Sequence, residues 1–237
     1  MTTDFDSFKC PGGFSSPPCM AGEIAPDYFD PLAVDPEQAR DVARWRKAER
    51  IRLRAARKAL ASADRLSIAT ALMAGLERVI GRRSARGANP IVAFYWPIKD
   101  EPDLRPLMTA LHDKGQRLAL PLVEQKAAPL VFRRWTPATR MERGHWDIPV
   151  PPQDAPVCQP DVVLAPLMGW DRAGYRLGYG GGYFDRTLAA AGPRPYSIGI
   201  GLGSAELSTI FPQPHDIPLD IILTERGVEY ERTPENE

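Results

Sequence analysis

The chain has 237 residues, and its thirty Lys and Arg side chains balance thirty Asp and Glu, so the formal net charge is zero. With 43% hydrophobic and 25% charged residues it has the make-up of a globular protein with one sizeable core, and the charge balance argues against a chain-wide electrostatic surface for nucleic acid or acidic membrane. No apolar run reaches the roughly 18 to 20 residues that cross a bilayer, and no basic-then-apolar leader opens the sequence, so a cytoplasmic protein with no nucleic-acid or membrane partner is expected.

Residues 1–34 carry Pro11, Gly12, Gly13, Pro17 and Pro18 without helical or alternating period, which predicts an irregular N-terminal arm. Cys10, Cys19 and Cys158 are too few and too scattered for a disulfide framework or a zinc knuckle. A helix start follows, with Asp35 as cap, Pro36 in the first helical position and Gln38 where a capping box wants its acceptor. The long helix that follows is strongly basic, with Arg44, Arg46, Lys47, Arg50, Arg54 and Arg57 among its charges. A run of this kind reads either as a solvated face or as an anion site.

Ser62 is expected to cap a second helix, whose Leu66, Ala69, Leu72, Met73, Leu76 and Ile80 recur every three or four residues as a core stripe before Gly81. After a basic turn over 82–87, Ile91 to Trp96 is a continuous apolar run, as in a strand buried on both faces. A helix over about 103–114, ended by Gly115, and a strand from Arg117 to Leu120 complete a strand–helix–strand unit. Leu130 to Trp135 reads as an edge strand, 137–160 as a proline-rich traverse, and Asp161 to Ala165 as a buried strand. A glycine-rich loop, a helix from Tyr183 to Ala191 and a strand from Tyr196 to Ile200 form a second such unit, and Ile221 to Leu223 is expected to close the sheet. The expected fold class is α/β. A single three-layer α/β/α domain with a mostly parallel sheet would span 35–230, between the irregular arm of 1–34 and a charged tail of 231–237.

The chemistry concentrates between Asp171 and Arg186, where five glycines, Gly174, Gly178, Gly180, Gly181 and Gly182, fall within nine residues. Glycine lets backbone N–H groups turn toward an anion and lets phosphate approach without a Cβ in the way, and the helix that follows adds its positive end. The run lacks the Gly-Lys-Ser/Thr of a Walker A loop and the spacing of a dinucleotide fingerprint. A phosphate cradle and a tight structural turn both remain open on spacing alone.

The stretch Arg176-Leu177-Gly178-Tyr179-Gly180-Gly181-Gly182-Tyr183-Phe184-Asp185-Arg186 closely resembles the signature of the 5-formyltetrahydrofolate cyclo-ligase family, the 5,10-methenyltetrahydrofolate synthetases. Four further segments stand in the family's order: the basic helix with Arg46 and Arg50, the strand end Trp96 to Glu101, Trp146 to Pro151, and His215 to Asp220. The resemblance covers about residues 44–226. It implies an ATP- and Mg²⁺-dependent closure of 5-formyltetrahydrofolate to 5,10-methenyltetrahydrofolate, releasing ADP and phosphate, through phosphorylation of the formyl oxygen and attack of the neighbouring anilino nitrogen.

Carried over residue by residue, the resemblance assigns ATP to Arg46, Lys47, Arg50, Arg176 and the backbone from Leu177 through Gly178, Tyr179, Gly180, Gly181, Gly182 and Tyr183 to Phe184. Arg176 and Asp185 would be catalytic, and Asp185 and Asp220 would hold Mg²⁺. Trp96, Glu101, Tyr179 and Tyr183 would take the folate, with Glu101 opening the helix after the first strand. Asp216 would support the site, and His215 would be structural. Two positions depart from the pattern: Arg46 stands where many relatives have lysine, and Gly181 where some do. The partners implied are 5-formyltetrahydrofolate and ATP, on a monomer or weak homodimer. Two rival readings remain: a catalytically silent member that binds nucleotide or folate as sensor or buffer, and a phosphotransferase acting on another small acceptor.

Overall fold

The computed structural model describes residues 35–84 and 89–233; the expected N-terminal arm, with Cys10 and Cys19, lies outside these. Helix α1 spans Pro36–Lys58, and the Asp35 carboxylate accepts the Glu37 N–H at 2.9 Å, the bond for which an Asp before a Pro is suited. Helix α2 spans Ser62–Ser84. Its first carbonyl acceptor is Ala61, bonded by the Arg65 N–H, so Ser62 is the first helical residue and not the cap. The helix also continues through Gly81, where packing leaves open space. Leu66, expected in the core stripe, is exposed, while Ala69, Leu72, Leu76, Val79 and Ile80 are buried.

Strands β1 (Ile91–Ala93), β2 (Arg117–Leu122), β6 (Val162–Pro166), β9 (Tyr196–Ile200) and β10 (Ile221–Thr224) lie parallel in the order β10-β9-β6-β1-β2. Antiparallel strands β3 (Val131–Trp135) and β11 (Gly227–Glu231) flank them as the two edges of one seven-stranded sheet. The strand from Ile221 is therefore next to last; β11 closes the sheet, with its one exposed apolar residue Val228 and its charged neighbours Glu229 and Glu231 marking an edge. Helix α3 (Arg105–Asp113) crosses between β1 and β2. Within the proline-rich traverse, β4 (Glu142–Arg143) and β5 (Pro149–Val150) pair around a short 3-10 turn, His145–Asp147. Within the glycine-rich segment, β7 (Gly169–Trp170) and β8 (Arg176–Leu177) form a small hairpin before helix α4 (Tyr183–Ala190).

Alternation along the strands builds two cores. Val92, Phe94, Leu118, Leu120, Leu164, Ile198 and Leu223 face α2 and α3, whose Leu72, Leu76 and Met108 are almost wholly buried. On the opposite face Ala165, Trp170, Leu177, Leu188 of α4, Leu202 and Ile222 form a second core that Leu53 of α1 joins. The result is the expected three-layer architecture with the sheet in the middle. Each buried aliphatic side chain of this kind contributes about 1.5–3 kcal/mol, so the two faces hold the strand ends, and whatever they carry, in fixed register. Among the described residues no single helix is long and apolar enough to cross a membrane.

The chain order has one topological break. From β1 it runs outward to β2 and β3, then returns to the other side of β1 with β6 and continues to β9 and β10. Beyond the carboxyl ends of β1 and β6 the connections diverge and leave a crevice, the position at which open α/β sheets hold ligands.

Candidate active site

The crevice is a cleft of about 270 Å³. Trp96 at the exit of β1, Leu122 at the end of β2 and Pro166 at the end of β6 form its floor; the glycine-rich loop, α1 and the turn at Trp146 form its walls. Arg46 and Asp216, 170 positions apart in sequence, therefore line one cavity with the residues that the strand ends deliver at one level of the sheet.

One end of the cleft is built to receive an anion. Gly180 and Gly182 sit at φ +95° and +62°, the left-handed region that favours glycine, and they turn the loop onto the start of α4. No side chain caps α4, so its first amide groups are left to the cleft. Arg50 donates from Nε to the Gly178 carbonyl at 2.7 Å, and its guanidinium carbon sits 3.5 Å from where a Gly180 Cβ would be. Burial, then the neighbouring Arg46, pull the Arg50 guanidinium below its usual pKa, with Asp216 opposing. Arg176 is buried in β8, with its Nη2 2.7 Å from Asp185 Oδ1 and its Nη1 donating to the Ile217 carbonyl. The Nη2 contact is ionic and not an aligned hydrogen bond, since that nitrogen has no hydrogen-bond partner among the described residues. Burial lowers the pKa of Arg176, and Asp185 opposes the shift most strongly.

Asp185, in the first turn of α4, accepts the Ile217 N–H with the same Oδ1 that faces Arg176, which leaves Oδ2 without a hydrogen bond among the described residues. Gly181 leaves the Tyr183 ring close against the loop backbone; a Cβ there would approach that ring to 2.8 Å.

The other end of the cleft is acidic and aromatic. Glu101 is 9% exposed, and both of its oxygens accept: Oε1 from the Tyr179 hydroxyl at 2.7 Å and Oε2 from the Ile98 N–H at 2.8 Å. Burial raises its pKa, opposed by these two hydrogen bonds and by Arg57 and Lys99. Glu101 does not open a helix as expected; it lies in the loop before α3, where Lys99 and Asp100 take positive φ. Trp96 is half-buried with the Arg105 guanidinium 5.3 Å from its ring centre, and Tyr183 meets Trp146 edge-to-face at 5.6 Å.

Arg46, Arg50, Trp96, Glu101, Arg176, Gly178 through Phe184 and Asp185 thus converge on one cavity. Four of the expected roles land differently, that of Arg46 although it lines the cavity. Arg46 is nearly saturated, donating to the Ile210 and Phe211 carbonyls at 2.9 and 2.8 Å and pairing with Asp216, so it pins the 210–216 segment under the cleft. Lys47 points from the neighbouring position of α1 into solvent. Leu177 is a core residue whose carbonyl accepts the Met168 N–H.

Asp220 precedes β10, at the amino end of a parallel strand and so at the opposite edge of the sheet from the cleft, and its Oδ2 accepts both the N–H and the hydroxyl of Ser197 at 2.7 Å. The structure therefore does not bring Asp220 to Asp185. Asp220→Ala is expected to lower stability by about 1–3 kcal/mol through the orphaned Ser197 donors, which a denaturant melt checks.

Residues not anticipated also reach the site. Arg57 of α1, 3% exposed, donates to the Tyr179 hydroxyl at 3.1 Å and to the Leu167 carbonyl. Its signal was present in the spacing: Arg46, Arg50, Leu53 and Arg57 recur at four, three and four, one face of a helix. Trp146 lines the cleft from a turn with φ +57°, and nothing in its local sequence marks it apart from the matched segment.

The sequence model of the 5-formyltetrahydrofolate cyclo-ligase family matches residues 42–225. The 5-formyltetrahydrofolate cyclo-ligase of Mycolicibacterium smegmatis is 34% identical over 146 residues, 58% of this chain and 75% of that protein. The enzyme of the same name from Escherichia coli is 34% identical over 102 residues, 41% of this chain and 56% of its own length. Among solved structures, the 5,10-methenyltetrahydrofolate synthetase of Aquifex aeolicus superposes with a TM-score of 0.67 at 25% identity, over 81% of this chain and 94% of that one. The Mycoplasma pneumoniae protein of that name shares the fold at 21% identity, with a TM-score of 0.60 over 76% of this chain and 98% of its own.

Proposed function

The chain belongs to the 5-formyltetrahydrofolate cyclo-ligase family, and we propose that it closes 5-formyltetrahydrofolate to 5,10-methenyltetrahydrofolate with conversion of ATP to ADP and phosphate. The observation that carries this reading is the two-ended cleft, in which an anion-receiving loop and an acidic, aromatic pocket share one cavity. A reaction that passes a phosphoryl group from a polyphosphate to a formyl oxygen carried on a pterin needs both ends within reach of each other.

In this reading the formyl oxygen attacks the terminal phosphorus, ADP leaves, and the anilino nitrogen adds to the activated carbon. That nitrogen loses its proton and phosphate departs with the former formyl oxygen, so the ring closes with atoms balanced. The loop amides and Arg50 bind the phosphates, and Arg176, held dry and fixed beside Asp185, neutralises charge on the phosphoryl group in flight. Glu101 receives ring N–H donors of the pterin on the lone pairs that Tyr179 and Ile98 leave free, and Trp96 and Tyr183 supply flat apolar walls.

The donor set suits Mg²⁺ in a limited way. Asp185 Oδ2 offers one unclaimed hard oxygen beside the loop, and no cluster of three or more ligating side chains exists among the described residues. This matches an ion that keeps its waters and is held mainly by substrate phosphates. When bound, the ion would neutralise phosphate charge, with Asp185 as its holder.

Purified protein mixed with 5-formyltetrahydrofolate, Mg²⁺ and ATP is expected to show the ultraviolet absorbance rise of the methenyl product, strictly dependent on ATP. ATP hydrolysis without that rise would favour another acceptor. Binding of either substrate without turnover would favour a silent member.

A further inference from the structure

Tyr179 belongs to the glycine-rich loop, yet its hydroxyl lies at the far end of the cleft, between a cation and an anion. Arg57 Nη1 donates to it at 3.1 Å, and Glu101 Oε1 stands 2.7 Å away. Donor inventory fixes the direction of this chain. A guanidinium can only donate, so one lone pair of the tyrosine oxygen is taken and its proton must go elsewhere. The carboxylate oxygen is the acceptor in reach. A proton on Glu101 Oε1 facing Tyr179 would reverse the bond and leave the tyrosine proton facing arginine. Nor can Glu101 place a proton toward Ile98, because that neighbour is an N–H donor at 2.8 Å.

We propose that Arg57 is a positioning residue for the reaction: holding the Tyr179 hydroxyl from behind, it aims that hydroxyl at Glu101 and keeps Glu101 an anionic acceptor for the pterin. The assignment rests on the ligase reading for the identity of the substrate. Arg57 touches neither substrate; its second prong, on the Leu167 carbonyl, anchors it to the residue that follows β6, so the relay has a rigid base. The relay also joins the two ends of the cleft, since the residue that orients Glu101 is flanked by Gly178 and Gly180 of the phosphate loop.

The groups facing Glu101 are Arg57 from α1, Tyr179 from the loop, Tyr95 from beyond β1, and Lys99 from its own loop. Burial raises the Glu101 pKa, and Tyr179 and Arg57 hold it down. Removing Arg57 therefore raises it further, and activity that needs the anion is lost at a higher pH as acid is added.

The test compares wild type, Arg57→Gln, Tyr179→Phe and the double variant. Turnover is measured against pH, and 5-formyltetrahydrofolate binding without ATP is followed by calorimetry. Arg57→Gln is expected to raise both KM and Kd for the folate about tenfold, as for one lost charged hydrogen bond, with KM for ATP within about twofold. Its acid limb should move to higher pH, because the arginine charge that favours the carboxylate is gone. Tyr179→Phe should shift the limb in the same direction, and adding Arg57→Gln to it should change folate binding little. An Arg57→Gln protein that is folded but less stable, with unmoved limb and unchanged folate Kd, would overturn the proposal, as would full additivity in the double variant. A wild type that binds the folate without turning it over would remove the ligase reading alone, leaving the Kd comparison to decide the role of Arg57.

Discussion

Arg176→Ala is expected to lower kcat by roughly 10³-fold or more, the scale on which an arginine stabilising a phosphoryl transition state acts, with the KM values for ATP and folate changed far less. The guanidinium is already desolvated and held by the Ile217 carbonyl and Asp185, so the proposed phosphoryl transfer would need no reorganisation of it as charge develops. Its Nη2, close to Asp185 but unaligned with it, has no hydrogen-bond acceptor among the described residues. Arg176→Lys keeps a charge and loses the planar fork, and is expected to recover only a small part of the rate. Folding of both variants is checked by circular dichroism, because alanine strands Asp185 beside the cleft without its cation. A folded Arg176→Ala enzyme within tenfold of wild-type kcat would show that the arginine is a structural brace for α4.

Asp185→Ala is the second large effect, an expected fall of roughly 10²–10³-fold in turnover, comparable to loss of one preorganised electrostatic group. Two roles of this side chain can be separated. Oδ1 latches the Ile217 N–H and faces Arg176, while Oδ2 is free for a cation. Asp185→Asn keeps an oxygen for the latch and removes the charge. Both variants should therefore be slow, and both should need more Mg²⁺ for half-maximal rate, whereas only Asp185→Ala should loosen the 215–218 segment in hydrogen exchange. An Asn variant with wild-type rate and Mg²⁺ requirement would reduce Asp185 to the latch.

Local signals carried much of the fold. Asp35 before Pro36 specified the start of α1, and β9 runs over Tyr196–Ile200 as its alternating apolar residues require. Gly115, with φ +84°, ends the helical segment as its lack of a Cβ allows. The misses have a common cause: they depend on neighbours distant in sequence. The hairpin of β7 and β8 is two residues per strand and exists because Trp170 is buried and its ring N–H reaches the Leu202 carbonyl. The β11 edge exists because β10 offers a row of unpaired backbone groups.

The same holds in the site. The loop glycines left an anion cradle and a structural turn both open, and the family pattern named Glu101 and Trp96, but spacing along the chain did not tell that Asp220 emerges at the end of its strand away from the cleft. Whether a residue precedes or follows a parallel strand decides which edge of the sheet it occupies, and that needs strand direction as well as position. Arg57 went unread because eight other basic residues on α1 masked the one face that turns inward.

That inward face sets an order of assembly. The bonds that seat α1 join residues 110 to 170 positions apart: Arg57 with Leu167, Arg50 with Gly178, and Arg46 with Ile210 and Asp216. During synthesis the first helix thus emerges long before the groups that receive it, and it must wait until the sheet, the glycine-rich loop and the 210–216 segment exist. Closing contacts of such length is entropically costly, and α1 rests on three arginine side chains and a few apolar ones, Val42 and Leu53 foremost. Docking of α1 is accordingly expected late in folding and its release an easy local opening, which would be read as early hydrogen exchange of the α1 amides ahead of those of the sheet. Because Arg50 and Arg57 ride on that helix, a single opening strips both ends of the cleft of a cation while the sheet stays intact.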